Sequence, residues 1–280
     1  MRAARPVVAA VLLLGLAACA EHTAGPGVPT LPSSRPAATE GLVLRVEHIG
    51  GFVMPSTIVA RLPVVSVHAD GRVISEGPVV ALYPAPALPN LQVRTIGPGE
   101  VQDLVDRALA AGVAETSDLG SPPVADVPTT RFTVVTTEET YVRDAYALWE
   151  TPEDNGLTPE QRDARERLTD LLAALTDHSA ATETYEPEAV AAVASPWIDP
   201  GDGLPQPEQS WPGPALPGEP TGGPPDVTCV TATGDEARAL LDAARSANAA
   251  TPWVTGNGTR WSVLLRPLLP DERGCADLTD

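Results

Sequence analysis

Proline and glycine set the first limit on what this chain can become. Its 280 residues include 31 prolines and 23 glycines, and the densest run, "DPGDGLPQPEQSWPGPALPGEPTGGPP" from Asp199 to Pro225, can neither continue a helix nor fill a central strand. That tract is either an interdomain linker or a long ordered insertion. Trp211 favours order, because an indole in a free linker would leave a large apolar surface in water. A second tract, "AEHTAGPGVPTLPSSRPAATE" from Ala20 to Glu40, has no hydrophobic period and reads as a flexible tether.

Regular structure is expected on either side of the Asp199–Pro225 tract. "GLVLRVEHI" alternates Leu42, Leu44 and Val46 with Val43, Arg45 and Glu47, the period of a half-buried strand. In "LPVVSVHADGRVISEG" the Asp70-Gly71 pair lies between two β-rich runs, and glycine tolerates the positive φ that a tight hairpin demands. Further strands are expected at "VVALYP" and "LQVRTI". The period then changes: Val101, Leu104, Val105, Ala108 and Leu109 share one helical face, with Gly112 where a C-terminal cap belongs. "TRFTVVTTEETYVRDAYAL" reads as a second hairpin, with Phe132 and Val134 on one face and Val142, Tyr146 and Leu148 on one face of the return strand. Thr158 and Gln161 form a capping box for a second helix, whose stripe is Ala164, Leu168, Leu171, Leu172 and Leu175. "YEPEAVAAVASPW" reads as a strand. After the proline tract come strand "VTCVTATG", a helix bearing Ala237, Leu240, Leu241 and Ala244, a "TGNGTRW" turn and strand "WSVLLRPLLP".

At the N-terminus, Arg2 and Arg5 precede an apolar run from about Pro6 to Leu16 and the small residues Ala17 and Ala18, the layout of a secretory signal. The run is short of the roughly 18 to 20 residues that span a ~30 Å hydrocarbon core. Leu16-Ala17-Ala18-Cys19 resembles the lipobox of bacterial lipoproteins. The resemblance implies that Cys19 carries a diacylglycerol and becomes the mature N-terminus, with acyl chains anchoring the body to the cell membrane on its extracytoplasmic side.

The formal charge of −19 argues against nucleic acid, which needs a cationic footprint, and against anionic lipid surfaces as partners. Every basic side chain other than histidine is arginine, so P-loop, Schiff-base and Ser-x-x-Lys chemistry is excluded. The arginine, alanine, proline and glycine excess points to a high-GC bacterial gene. With Cys19 assigned to lipid, Cys229 and Cys275 remain in an oxidising setting and are expected to pair, closing a loop of about 46 residues.

No nucleophile elbow, zinc-binding His-Glu-x-x-His, Cys-x-x-Cys or dinucleotide glycine motif is present, and no catalytic, cofactor-binding or metal-ligating residue is assigned. Alternation places His48 with Leu42, Leu44 and Val46 but His68 with Val64 and Ser66, so a shared histidine site would need a bulge; His22 reads as solvated and His178 as a charge at a helix C-terminus. The acidic loops "ETPEDNG" and "DPGDG" lack a calcium-loop ladder and read as solvated turns, and Asn257-Gly258 reads as a hairpin turn. Arg266, Asp271, Glu272 and Arg273 read as a surface ion pair beside a proline-bounded turn, worth roughly 0 to 1 kcal/mol.

The succession "PVVSVHADGRVISEG", "EVQDLVDRALAAGV" and "VADVPTTRFTVV" resembles a loosely defined family of uncharacterised exported domains of high-GC bacteria. That resemblance implies no activity and gives Asp70, Gly71 and Asp126 no role beyond turns. The expected architecture is α+β: two small units, each a mainly antiparallel sheet with helices on one face. Residues 1–18 would be the signal peptide, 19–40 the tether, 41–180 the first unit and 184–280 the smaller disulfide-linked one, containing the tract 199–225. The expected function is a membrane-anchored, non-enzymatic binding or envelope-assembly module whose partner is an envelope protein or a small ligand. The alternatives are a carboxylate-dependent extracytoplasmic hydrolase, which needs two facing acids in a cleft, and a small-ligand carrier, which needs a concave apolar pocket between the units.

Overall fold

The computed structural model describes residues 35–149, 156–177 and 182–278. Cys19, His22 and His178 lie outside those residues, as do most of the tether and all but Gly156 of the "ETPEDNG" loop. The fold is α+β, built on two sheets in which antiparallel pairing dominates.

The first sheet has seven strands: β1 (Leu42–Ile49), β2 (Val65–His68), β3 (Arg72–Glu76), β4 (Leu91–Thr95), β5 (Thr129–Val135), β6 (Thr140–Tyr146) and β7 (Glu183–Thr184). Their order is β6-β5-β1-β2-β3-β4-β7, with every neighbouring pair antiparallel. The Asp70-Gly71 turn joins β2 to β3. Gly71 is required there twice over: its φ is +87°, and a Cβ would sit 2.2 Å from the Ile96 carbonyl oxygen.

Helix α2 (Pro98–Ala110) and helix α3 (Pro159–Leu175) cover this sheet. Val101, Leu104, Val105 and Ala108 of α2 and Leu168, Leu171, Leu172 and Leu175 of α3 share one core with Val46, Phe132 and Val134. Gly112, at φ +97°, ends α2 while the Val113 amide reaches back to the Ala108 carbonyl at 3.2 Å. At the start of α3 the Thr158 hydroxyl accepts from the Gln161 amide and the Gln161 side chain accepts from the Thr158 amide, as a capping box requires.

Two expectations are corrected in this region. "VVALYP" is not a strand: prolines at 78, 84, 86 and 89 interrupt its donors, and Val79, Val80, Leu82 and Tyr83 are exposed. On β6 the inward face is the opposite one. Phe132 pairs with Arg143 and Val134 with Tyr141, and directly opposed residues share a face, so Arg143 and Ala145 point in while Val142 points out. Arg143 occupies its buried place by donating to the carbonyls of Glu115 and Ser117, and Arg165 of α3 does likewise to those of Tyr146 (2.8 Å) and Ala147 (2.6 Å). Each planar fork is held by backbone carbonyls, which offset part of the cost of burying its charge.

The second sheet contains β8 (Ala189–Pro196), β9 (Gln209–Ser210), β10 (Glu219–Pro220), β11 (Thr228–Thr233), β12 (Trp253–Val254) and β13 (Arg260–Pro267), in the order β10-β11-β8-β13-β12-β9. Only β12 and β9 run parallel. Strand β8 is central and buried on both faces, which is why it reads as an unbroken Ala/Val run. Val190, Ala192 and Ala194 meet helix α4 (Gly234–Ala244) through Ala237, Leu240 and Ala244. Ala191 and Val193 face Val227, Cys229 and Leu268, joined by Val59 and Ala60 of the short helix α1 (Pro55–Ala60).

The second half of the proline tract is ordered on this sheet. It supplies β9 and β10, and Trp211 stands edge-on to the buried Trp253 with ring centroids 5.6 Å apart. In "DPGDG", Asp199 and Asp202 side chains accept from the amides of Gly201 and Leu204, making the short turns expected of them.

Candidate ligand cleft and the charge cluster beside it

Two segments of the first half of the chain reach the second sheet. One is α1, inserted between β1 and β2. The other is the connection from β3 to β4, a compact loop closed at its base by the Gly77 amide donating to the Asn90 carbonyl at 2.7 Å. Farther out it docks on the turn after α4, where the Ala87 amide donates to the Ala247 carbonyl (3.2 Å) and the Ala249 amide to that of Ala85 (2.8 Å). Its tip is tied to the proline tract through the Tyr83 hydroxyl, which donates to Asp202 at 2.9 Å.

Between these segments, α4 and β13 lies an open cleft of about 1610 Å³. Its walls are chiefly aliphatic, with Leu62, Val64, Val79, Val80, Leu88, Leu241, Val263, Leu264 and Leu265 joined by a run of prolines. Three arginines also line it. Arg238 on α4 and Arg245 just past its end are exposed and pair with Asp235 and, at 3.6 Å, Asp242. Arg61 differs. Its Nη1 donates at 2.9 Å to the carbonyls of both His48 and Gly50, and among the described residues no carboxylate lies within ion-pair distance of it. The carboxylates lining the cleft are Glu76, Glu186 and Asp242. A smaller concavity of about 460 Å³, ringed by Glu115, Asp118, Glu160 and Asp163, lies at the N-terminal end of α3.

The C-terminal segment lies next to this cleft, and the disulfide holds it there. Cys229 on β11 and Cys275 are bonded, with Cα atoms 5.9 Å apart, and the Thr231 hydroxyl accepts from the Cys275 amide at 3.1 Å. Thus held, residues 268–272 lie between the sheets: Leu268 packs with β8, and Leu269 packs with Ile74, Leu91 and Tyr185. The Tyr185 hydroxyl donates to the Leu268 carbonyl at 2.8 Å, and burial pushes its pKa up to about 12.

The charged residues of this segment correct the expectation of a surface ion pair. Arg266 is only 2% exposed and Glu272's side chain 5%, and the guanidinium Nη2 donates to Oε1 at 2.8 Å while Nη1 donates to Oε2. Arg266 also donates to the Pro267 carbonyl at 2.9 Å. Asp271 accepts at 3.0 Å on both oxygens from Nη2 of Arg45, whose Nε donates to Ser66. The cluster thus ties β1 and β2 of the first sheet to β13 of the second.

His68 completes it as an outlier. Its Nδ1 lies 3.8 Å from Asp271, yet neither ring nitrogen has a hydrogen-bond partner among the described residues. Burial lowers its pKa below the usual 6.5; the attraction of Asp271 works against that shift and the repulsion of Arg45 adds to it. The ring is therefore neutral near pH 7, and its contact with Asp271 is not a salt bridge.

The two histidines among the described residues stay apart. His68 stands opposite Leu42 at the start of β1 and His48 opposite Thr130 near its end, so the β-bulge between Leu42 and Leu44 does not unite them. Among the described residues no group of three or more His, Cys, Asp or Glu side chains is placed to hold a metal ion. Sequence reasoning missed the buried pairing of Arg266 with Glu272. The one local hint is their spacing across "RPLLPDE", where the prolines bring position 272 back beside 266. Cleft-lining Arg61 carries no local signal at all. Comparison of the chain with protein-family models, with curated proteins and with solved structures finds no match.

Proposed function

We propose that the protein is a lipid-anchored, extracytoplasmic binding module, without catalytic activity, that holds a small apolar ligand in the cleft between its sheets. The observation that carries this reading is the cleft itself. Ligand sites are typically concave, mostly apolar spaces of roughly 300 to 1,000 Å³ with few polar groups. A groove of about 1610 Å³ suits an elongated occupant. The lipobox-like Leu16-Ala17-Ala18-Cys19 supports the anchor, and the disulfide suits an oxidising compartment.

Ala249 is exposed and lines the cleft, so Ala249→Trp should fill the groove without disturbing a core. An environment-sensitive apolar dye should bind the wild-type chain and not Ala249→Trp; equal dye binding by both would remove the cleft as the site. Cys19→Ala should shift the protein out of membrane fractions or leave its precursor uncut, and unchanged anchoring would defeat the lipoprotein assignment.

A further inference from the structure

We infer that the occupant of the cleft is a single-chain anionic amphiphile, its chain lying along the aliphatic wall and its carboxylate or phosphate head received by Arg61. This rests on the reading of the cleft as the ligand site and adds the chemistry of the ligand.

The wall argues for the chain. Among the described lining residues only His48 and Tyr185 carry aromatic rings, and the Tyr185 hydroxyl is already bonded to Leu268, so the cleft offers little on which a sugar or a nucleobase could stack. What it offers is methyl and methylene surface, extended toward solvent by Val79 and Val80, which are 66% and 55% exposed. Such a wall rewards length in a flexible chain and little else.

Arg61 argues for the head. Arg238 and Arg245 are matched by Asp235 and Asp242, whereas Arg61 is oriented by two backbone carbonyls that carry no net charge. Both carbonyls engage Nη1, and Nε and Nη2 donate to no described group. A half-buried guanidinium fixed in this way presents its remaining donors to an anion with little ordering left to do. In a chain of charge −19, with Glu76, Glu186 and Asp242 also lining the groove, Arg61 is, among the described residues, the one cleft arginine without a carboxylate partner.

The test uses the full-length chain carrying Cys19→Ala, so that no acyl group of its own competes, titrated with hexadecanoate and hexadecanol by calorimetry. Hexadecanoate should bind at least about tenfold more tightly than the alcohol. Arg61→Gln should bring the acid down to the alcohol's affinity and leave the alcohol unchanged, while Arg61→Lys should keep part of the preference. Shortening either chain by two carbons should weaken binding on the order of tenfold. Equal affinity for acid and alcohol, or a preference that survives Arg61→Gln, overturns the assignment of the head group while leaving the cleft in place. Failure of both ligands and of the apolar dye overturns the cleft reading as well.

Discussion

The two sheets solve the same problem with different means. The first closes its core with its own helices: Leu168, Leu171, Leu172 and Leu175 of α3 meet Phe132 and Val134 across a wide strand surface. The second is built around the Ala/Val strand β8 with one helix of about three turns, and it draws on elements from elsewhere: α1, Ala87 and Leu88 of the β3–β4 loop, and a disulfide-held C-terminal segment. Small apolar side chains bury little area each, so a sheet made of them needs cross-links and borrowed cover where a leucine-rich one does not. The same borrowing creates the cleft, because loops that cross from one sheet to the other leave a groove between them.

This contrast can be broken by experiment in a Trp149→Phe background, since Trp149 follows β6 of the first sheet whereas the other four tryptophans, Trp197, Trp211, Trp253 and Trp261, belong to the second sheet region, and circular dichroism reports both. The largest effect is expected for Cys229→Ala with Cys275→Ala, about 4 kcal/mol from a closed loop of 46 residues. In urea, tryptophan fluorescence should then change before circular dichroism; coincident transitions would mean that the second sheet does not depend on the cross-link in particular. Glu272→Gln should cost about 3 kcal/mol. That is the lower end for breaking a buried pair, because Arg266 keeps its bond to the Pro267 carbonyl. Replacing both partners together, Arg266→Met with Glu272→Leu, should recover most of that loss, and failure to recover it would show a role beyond pairing.

Trp211→Ala should destabilise by about 2 kcal/mol, less than for a fully buried indole, since the ring is half-exposed and covers Trp253 from one edge. The smallest effect is the pH dependence of His68. Its folded pKa lies below 6.5, so as pH falls through 6.5 the unfolded chain takes up a proton that the native protein refuses, and stability declines. Melting temperature should therefore fall between pH 6.5 and the folded pKa, and His68→Gln should flatten that limb. An unchanged slope in the variant would place the acid sensitivity elsewhere.

How much was legible in advance follows the range of each interaction. Thr158 and Gln161 meet within one helical turn, Asp70-Gly71 and Asn257-Gly258 within one hairpin, and Val101 to Ala108 along one helix, so each pattern is written locally. The face of β6 was misread because Arg143 can occupy an inward position only when Glu115 and Ser117 supply carbonyls, and nothing around residue 143 announces them. "VVALYP" was misread as a strand because its apolar content promised pairing that its prolines deny. The cysteine pairing was accessible by elimination, since one thiol is claimed by the lipobox-like motif and two remain.

The sequence by itself determined the periods of the long strands and helices, the turns that join them, the acidity that disfavours nucleic acid, and the resemblance of Cys19 to a lipid attachment site. Only the tertiary structure decided that Arg45 would meet Asp271, 226 positions away, that Arg266 and Glu272 would be buried, and that Arg61 would line an aliphatic groove with no carboxylate among the described residues in ion-pair reach. The physical reason is that propensity and periodicity act over a few residues, whereas a cleft and a charge cluster exist only where distant segments are brought together, and there desolvation and pairing are set by neighbours that no local pattern encodes.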